Sequence, residues 1–385
     1  MTAARAPGPS TPGRTEQDDR SGPNRTRGVS SSEAAVLGRI EAFRRRRPRL
    51  KDDVVTLAHG AGGKASAALL DAVFLEGLGR PEGPLRDAAV LDLAPGERLA
   101  FTTDSFVVSP RRFPGGSVGH LAVHGTVNDL AVMGAVPRWL SLAVVIEEGL
   151  SVAELKEIVA DVAEAADGAG VAVVTGDTKV VGAGAADGIY LTTAGVGTVA
   201  PGVDLAAESV RPGDVVLLSG TMGDHGIAVM LARGDLDLEV ELCSDTAPVT
   251  PLVRALLEAA PGTRWCRDPT RGGVATVCNE LARDRQLAVV LDEAALPVRP
   301  AVAGACELLG LDPLYVANEG KVLAVVPPEE ADAALAAVRA EPGGAEAALI
   351  GEIRAEPEGV VVLRTAFGST RIVDMLVGDP LPRIC

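Results

Sequence analysis

One stretch near the middle of the chain restricts the fold more than any other. Ser151 followed by Glu154 has the form of a capping box, and Val152, Leu155, Ile158, Val159 and Val162 then recur at helical spacing until Gly168 and Gly170 stop the helix. Val171-Ala172-Val173-Val174 follows at once, an apolar run that reads as a buried strand. An amphipathic helix feeding directly into a buried strand is the repeating unit of α/β architecture. The strand is expected to end at Gly176-Asp177, which would put Asp177 at a carboxyl end, where α/β proteins gather ligands.

With 385 residues, the chain exceeds one ordinary core, so two packed domains are expected. Only ten residues are aromatic although 47% are hydrophobic, so Val, Leu and Ala must fill the interior. Residues 1–50 are rich in Pro, Ser, Gly and Arg and read as a disordered extension. A first α/β region spans 51–205. A second, 206–370, opens at the turn Arg211-Pro212-Gly213-Asp214 and the strand Val215–Leu218. Residues 371–385 form an arm in which Pro380 and Pro382 oppose helix, and it ends at Cys385. A terminal thiol closes no loop; on a mobile arm it is a candidate carrier nucleophile.

Charge and cysteine usage remove some function classes. Residues 1–50 hold eleven Arg against five Asp or Glu, so the net −16 of the chain leaves −22 for the remainder. A body that acidic repels nucleic-acid phosphates, and no apolar run reaches a membrane span. The five cysteines (Cys243, Cys266, Cys278, Cys306, Cys385) show no CxxC spacing, which suits a reduced, cytoplasmic setting.

Several glycine- and acid-rich segments carry candidate chemistry. His59-Gly60-Ala61-Gly62-Gly63-Lys64 brings backbone amides and a cation to an anion, without the spacing of a P-loop. Thr102-Thr103-Asp104-Ser105, after the strand Leu99-Ala100-Phe101, offers a carboxylate flanked by hydroxyls, a ligand set that suits Mg²⁺. From Gly116 to Ala135 a helix would align His120, His124 and Asn128 on one face and bury Asp129 among small apolar residues. A carboxylate there needs a hydrogen bond or a metal. The two histidines lack the Glu of a zinc motif. Thr175-Gly176-Asp177-Thr178-Lys179, Gly223-Asp224-His225-Gly226, Asp268-Pro269-Thr270-Arg271-Gly272-Gly273 and Asn318-Glu319-Gly320-Lys321 complete the set. Together they describe a nucleotide–Mg²⁺ site built from carboxylates and backbone.

This series, with the terminal Pro382-Arg383-Ile384-Cys385, resembles the hydrogenase-maturation members of the aminoimidazole-ribonucleotide synthetase (PurM-like) superfamily over about residues 52–385. The resemblance implies a PurM-like two-domain fold, with the N-terminal sheets of a homodimer closing into a barrel beside the ATP clefts, and a flexible arm. It also implies a reaction. A carbamoyl group delivered to Cys385 by the carbamoyltransferase HypF is activated by ATP and dehydrated to a thiocyanate. The cyanide then passes to iron on a HypC–HypD complex. By the same resemblance Glu319 is the base and Lys179 steadies charge on the substrate oxygen or the γ-phosphate. Asp104, Asp129, Asp177 and Asp268 hold Mg²⁺ and phosphates, while His59, Gly62, Gly63, Lys64, Asn128, Thr178, Arg271 and Gly272 line the nucleotide cleft. A selenophosphate synthetase-like enzyme is the nearest alternative, but its cysteine lies near the N-terminal glycine loop, and this chain has none before Cys243. A non-catalytic thiol carrier is the other alternative.

Overall fold

The structure, a computed structural model, describes residues 50–56, 59, 64–79, 98–235, 240–374 and 384–385. The Arg-rich extension up to residue 49, Gly62, Gly63 and arm residues 375–383 lie outside them, as does the side chain of Lys64.

The first half is one sheet covered by helices on one side. Its strands are β1 (Arg98–Phe106), β2 (Ala135–Glu147), β3 (Ala172–Val181) and β4 (Ile189–Val199), in the order β1-β4-β2-β3. Only β2 and β3 run parallel, because helix α2 connects them. Helices α1 (Val118–Val132) and α2 (Val152–Ala169) cover one face. Ser151 does cap α2, accepting a hydrogen bond from the Ala153 amide at 3.2 Å, and Gly170 closes the helix at φ 67°. The reciprocal half of the expected capping box does not form. Glu154 turns instead to Arg111, whose Nε donates to Oε1 at 2.6 Å.

Two expectations about strand ends need correction. Asp104 lies inside β1 and Asp177 inside β3, rather than at their carboxyl ends. Both strands are edges of the sheet. An edge strand keeps one side open, so polar residues such as Thr175 to Lys179 extend it where a central strand would have to stop. For the same reason residues 172–174 are only partly buried.

The second half contains strands β5 (Val215–Leu218), β6 (Trp265–Arg267), β7 (Ala288–Asp292), β8 (Leu323–Val326), β9 (Ala348–Arg354), β10 (Val361–Arg364) and β11 (Thr370–Val373). They form one mixed sheet in the order β11-β10-β7-β9-β5-β8-β6. Helices α3 (Asp224–Arg233) and α6 (Pro300–Leu309) pack with the core of the first half, whereas α4 (Thr250–Ala259), α5 (Gly273–Arg285) and α7 (Ala331–Ala340) pack on this sheet. Alternation along the central strands divides its core. Val216, Leu218, Leu323 and Val325 pack with Val274, Cys278 and Leu281 of α5, while Leu217, Ala324 and Val326 pack with α4 and α7.

The halves share their cores. Ala131 and Val132 of α1 join the cluster of α4 and α7, and Ile227 and Val302 of the second half join the cluster of α1 and α2. The seam between them is where Asp104, Asp129, Asp268 and Glu319 meet. Among the described residues, no helix is long and apolar enough to cross a membrane.

Candidate active site

The site begins with α1, which must be helical and buried yet carries Asn128 and Asp129 on adjacent positions. Asn128 is 1% exposed, and its amide is satisfied wholly by the second half. Nδ2 donates to the carbonyls of Ala247 and Glu319, both at 3.1 Å, and Oδ1 accepts from the Val249 amide at 2.8 Å. This residue, expected against the nucleotide, instead ties α1 to the backbone of Glu319. Asp129 has the hydrogen-bond partner its burial demanded: Thr102 Oγ1 of β1 donates to Oδ2 at 2.8 Å. Even so, burial raises its pKa, with the charge of Asp104 adding to the effect.

Opposite these residues stands the loop after β6. The carboxyl of Asp268 is pushed up to about 7 by burial first and by the nearby Asp129 second. Glycines 272 and 273 then take the left-handed conformation at φ 77° and 61° to start α5. A Cβ on Gly273 would strike the backbone carbonyls of Leu314 and Val316, so only glycine lets this turn pack there.

Glu319 is the most perturbed carboxyl of the site. It is 3% exposed, and its Oε1 is buried without a hydrogen-bond partner. Burial drives its pKa well above the ordinary value, followed by the charges of Asp245, Asp268 and Asp104, while Arg271 opposes them. The neighbouring Gly320 is required because any Cβ would collide with the Asp245 carbonyl. Asp245 in turn accepts from the Glu319 amide at 3.1 Å and pairs with the buried Lys321 at 3.0 Å. Lys321 and the Glu319 amide thus hold Asp245 charged, and its pKa is lowered despite burial.

The end of the chain enters this cleft. Ile384 is 3% exposed, and Arg271 Nη2 lies 3.6 Å from Cys385 Sγ. Burial, then the Glu319 carboxylate, push the thiol up to about 12. The arm's last residue is therefore docked beside the strongest candidate base.

Known proteins resemble this chain over most of its length. Residues 85–199 match the family AIR synthase related protein, N-terminal domain, and residues 211–364 match AIR synthase related protein, C-terminal domain. The chain is 55% identical over 340 residues to carbamoyl dehydratase HypE of Rhodobacter capsulatus, covering 87% of this chain and 99% of that one. It is 48% identical over 336 residues to the Escherichia coli K12 protein of the same name, covering 86% and 99%. The chain belongs to the carbamoyl dehydratase HypE family. A crystal structure of the hydrogenase maturation protein HypE in complex with ATP superposes with a TM-score of 0.81 at 44% identity, covering 86% of this chain and 99% of that one. One of a HypE–HypF complex superposes at 0.71 and 44%, covering 74% and 92%.

Against the residues expected for a HypE-family site, the fold makes a clear division. It brings together Asp104, Asp129, Asp268, Arg271, Glu319 and Cys385. Arg271, read as a nucleotide contact, reaches the thiol. It does not bring Asp177, Thr178 or Lys179 to them within one chain. Asp104 lies opposite Thr193, Thr193 opposite Leu142, and Leu142 opposite Gly176. That row crosses the whole sheet, so Asp104 and Asp177 sit at opposite edges, three strand spacings or about 14 Å apart. His59 is buried at the first half, its Nδ1 accepting from the Thr56 amide at 3.0 Å and its Nε2 3.4 Å from Asp52. Gly62, Gly63 and the Lys64 side chain lie outside the described residues.

Sequence reasoning missed Asp245 and His225. Asp245 occurs in Cys243-Ser244-Asp245-Thr246, with no glycine or lysine beside it to mark it. His225 stood in an acidic turn motif but was given no role.

Proposed function

We propose that this chain is an ATP-dependent S-carbamoyl dehydratase of hydrogenase maturation, with Cys385 as the substrate's attachment point. The observation that carries the reading is the terminal thiol docked beside Glu319, a buried carboxyl with a raised pKa and an unpartnered oxygen. A thiol held near 12 is a poor nucleophile in this position, so loading of the carbamoyl group belongs to a partner's site, with the arm outward. The solved HypE–HypF complex of a relative supports HypF as that partner.

Once loaded, the inward arm presents S–C(=O)–NH₂ to Glu319. Conversion to S–C≡N removes the oxygen and both N–H protons, a net loss of water. ATP supplies the phosphoryl group that makes the amide oxygen a leaving group. Glu319 is positioned to take a proton from the nitrogen, and its raised pKa makes it a stronger base than an exposed carboxylate. Arg271 stays beside the sulfur, where its charge steadies negative charge developing on the S–C–O unit. Asp104, Asp129 and Asp268 are hard oxygen donors whose mutual repulsion a divalent cation relieves, so this set fits Mg²⁺. Release of the cyano group to iron on a HypC–HypD complex follows from the family reading.

The homodimer belongs to the same proposal. The face of the first sheet turned away from α1 and α2 leaves Phe101 70%, Leu99 53% and Val136 49% exposed, an apolar surface suited to a second copy. Among the described residues no further strand pairs with either edge of this sheet. A copy whose β3 edge meets the β1 edge would carry Asp177, Thr178 and Lys179 to the rim of the acid cluster, which one chain leaves separated.

The deciding experiment is mass spectrometry of the C-terminal peptide. Incubation with the carbamoyltransferase and its substrates should add a carbamoyl group at Cys385, and ATP should then remove one water. ATP hydrolysis indifferent to the state of Cys385 would sink the proposal.

A further inference from the structure

The most informative group outside the acid cluster is His225. It is fully buried at the start of α3, where Gly223, at φ 85°, begins the helix. Its two ring nitrogens are both engaged. Nδ1 lies 2.8 Å from Ser244 Oγ, and Nε2 lies 2.8 Å from the backbone carbonyl oxygen of Ile384. A carbonyl only accepts, so the ring hydrogen sits on Nε2, and Nδ1 must accept from the Ser244 hydroxyl. Ser244 Oγ itself accepts from the Thr246 amide at 3.1 Å, which fixes the hydroxyl. Phe113 meets the ring edge-on at 5.5 Å. Burial disfavours the imidazolium, so a single neutral tautomer satisfies every partner.

The side chain of Ile384 makes a second anchor. It is 3% exposed and belongs to the apolar cluster that contains Ile227, Leu242 and Val302. The sulfur of the next residue is held more loosely: among the described residues its hydrogen bond is a 3.6 Å contact from Arg271. What sets the sulfur's place is therefore the residue before it.

We propose that His225 is a positioning residue for the terminal thiol, and that the Ile384 pocket selects an aliphatic penultimate residue. The imidazole grips the last peptide carbonyl while the isoleucine side chain seats the register, and together they present the Cys385 sulfur to Glu319 and Arg271. His225 holds the tail by the Ile384 carbonyl and also stands near the charge of Asp245, so the tail variant Ile384→Ala separates an effect carried by the tail from one carried through Asp245. The inference rests on the reading of Cys385 as substrate handle, yet the docking itself is measurable without turnover.

The test uses the full-length chain in two arms. In the first, unmodified protein is treated with iodoacetamide, and alkylation of Cys385 is followed on the C-terminal peptide. Ile384→Ala and His225→Phe should accelerate it roughly tenfold, the scale of one net hydrogen bond or a comparable loss of apolar burial. His225→Gln, whose amide can donate to the same carbonyl, should restore much of the protection. In the second arm, protein already carbamoylated is given saturating ATP, and the first turnover of dehydration is timed. The same two variants should slow it by a similar factor, with the ATP concentration for half-maximal rate unchanged. Wild-type alkylation and turnover in Ile384→Ala would overturn the proposal, and that tail variant stands even if His225→Phe fails to fold. If the wild-type protein protects its thiol but loses no water, the dehydratase reading fails while the docking stands.

Discussion

The two large sheets of this molecule receive different treatment from the chain around them. The seven-stranded sheet is covered on both faces, by α5 on one and by α4 and α7 on the other. Among the described residues, the four-stranded sheet is covered on one face only, and neither of its edges pairs with a further strand. One sheet spends its surface on a scaffold, and the other holds surface in reserve. The groups proposed for chemistry follow the same division. Those at the seam between the halves include the buried, strongly perturbed Asp268 and Glu319, whereas Asp177 and Lys179 stand exposed on the far edge.

If the seam is the reaction centre, its loss should have the largest effects. Cys385→Ala should abolish both the carbamoyl adduct and its dehydration, as read on the C-terminal peptide. Glu319→Gln should leave the adduct intact and slow dehydration by about 10²–10⁴, the usual contribution of a general base. A wild-type rate would return the chemistry to the exposed edge.

The exposed edge is tested by complementation. Lys179→Ala and Glu319→Gln should each be inactive alone. Mixed and allowed to exchange subunits, they should recover up to about one quarter of wild-type activity, because half the molecules would be heterodimers with one intact site each. No recovery at all, with exchange verified, would mean that each chain uses its own Lys179.

Smaller effects probe the seam as a structural joint. Asn128→Ala leaves the buried carbonyls of Ala247 and Glu319 and the Val249 amide without their partner, which should cost about 1–3 kcal/mol in denaturant unfolding. His124 gives the mildest and most pH-specific signal. Burial, and then His120, lower its pKa to about 4 from 6.5. The folded state thus binds this proton less tightly than the unfolded chain, so the stability involved is complete above pH 6.5 and is lost as pH falls toward 4. Urea midpoints between pH 7 and 4 should fall less steeply in His124→Gln than in the wild type.

Much of this architecture was legible in the sequence. The α2 cap and stop, the turn into β5 and the helix opening at Gly272-Gly273 depend on neighbours within a few residues, and the structure forms them where the spacing predicts. The carboxylates Asp104, Asp129, Asp268 and Glu319, which the fold brings together, stood out in the sequence because a charge beside small apolar residues has few structural uses. The extent of β1 and β3 was less so. Whether a polar run ends a strand depends on the strand being an edge, and that depends on sheet order.

The local sequence by itself determined the cap, the glycine turns and the presence of an acidic, thiol-bearing machinery, since each follows from short-range sterics or the cost of burying charge. Only the tertiary structure decided which acids meet, that Asn128 serves as a strut and that Asp245 braces Glu319. It also decided that His225 receives the end of the chain. Those pairings join residues as far apart as 128 and 319 in sequence, and a hydrogen bond over that distance exists only once two separate cores have closed against each other.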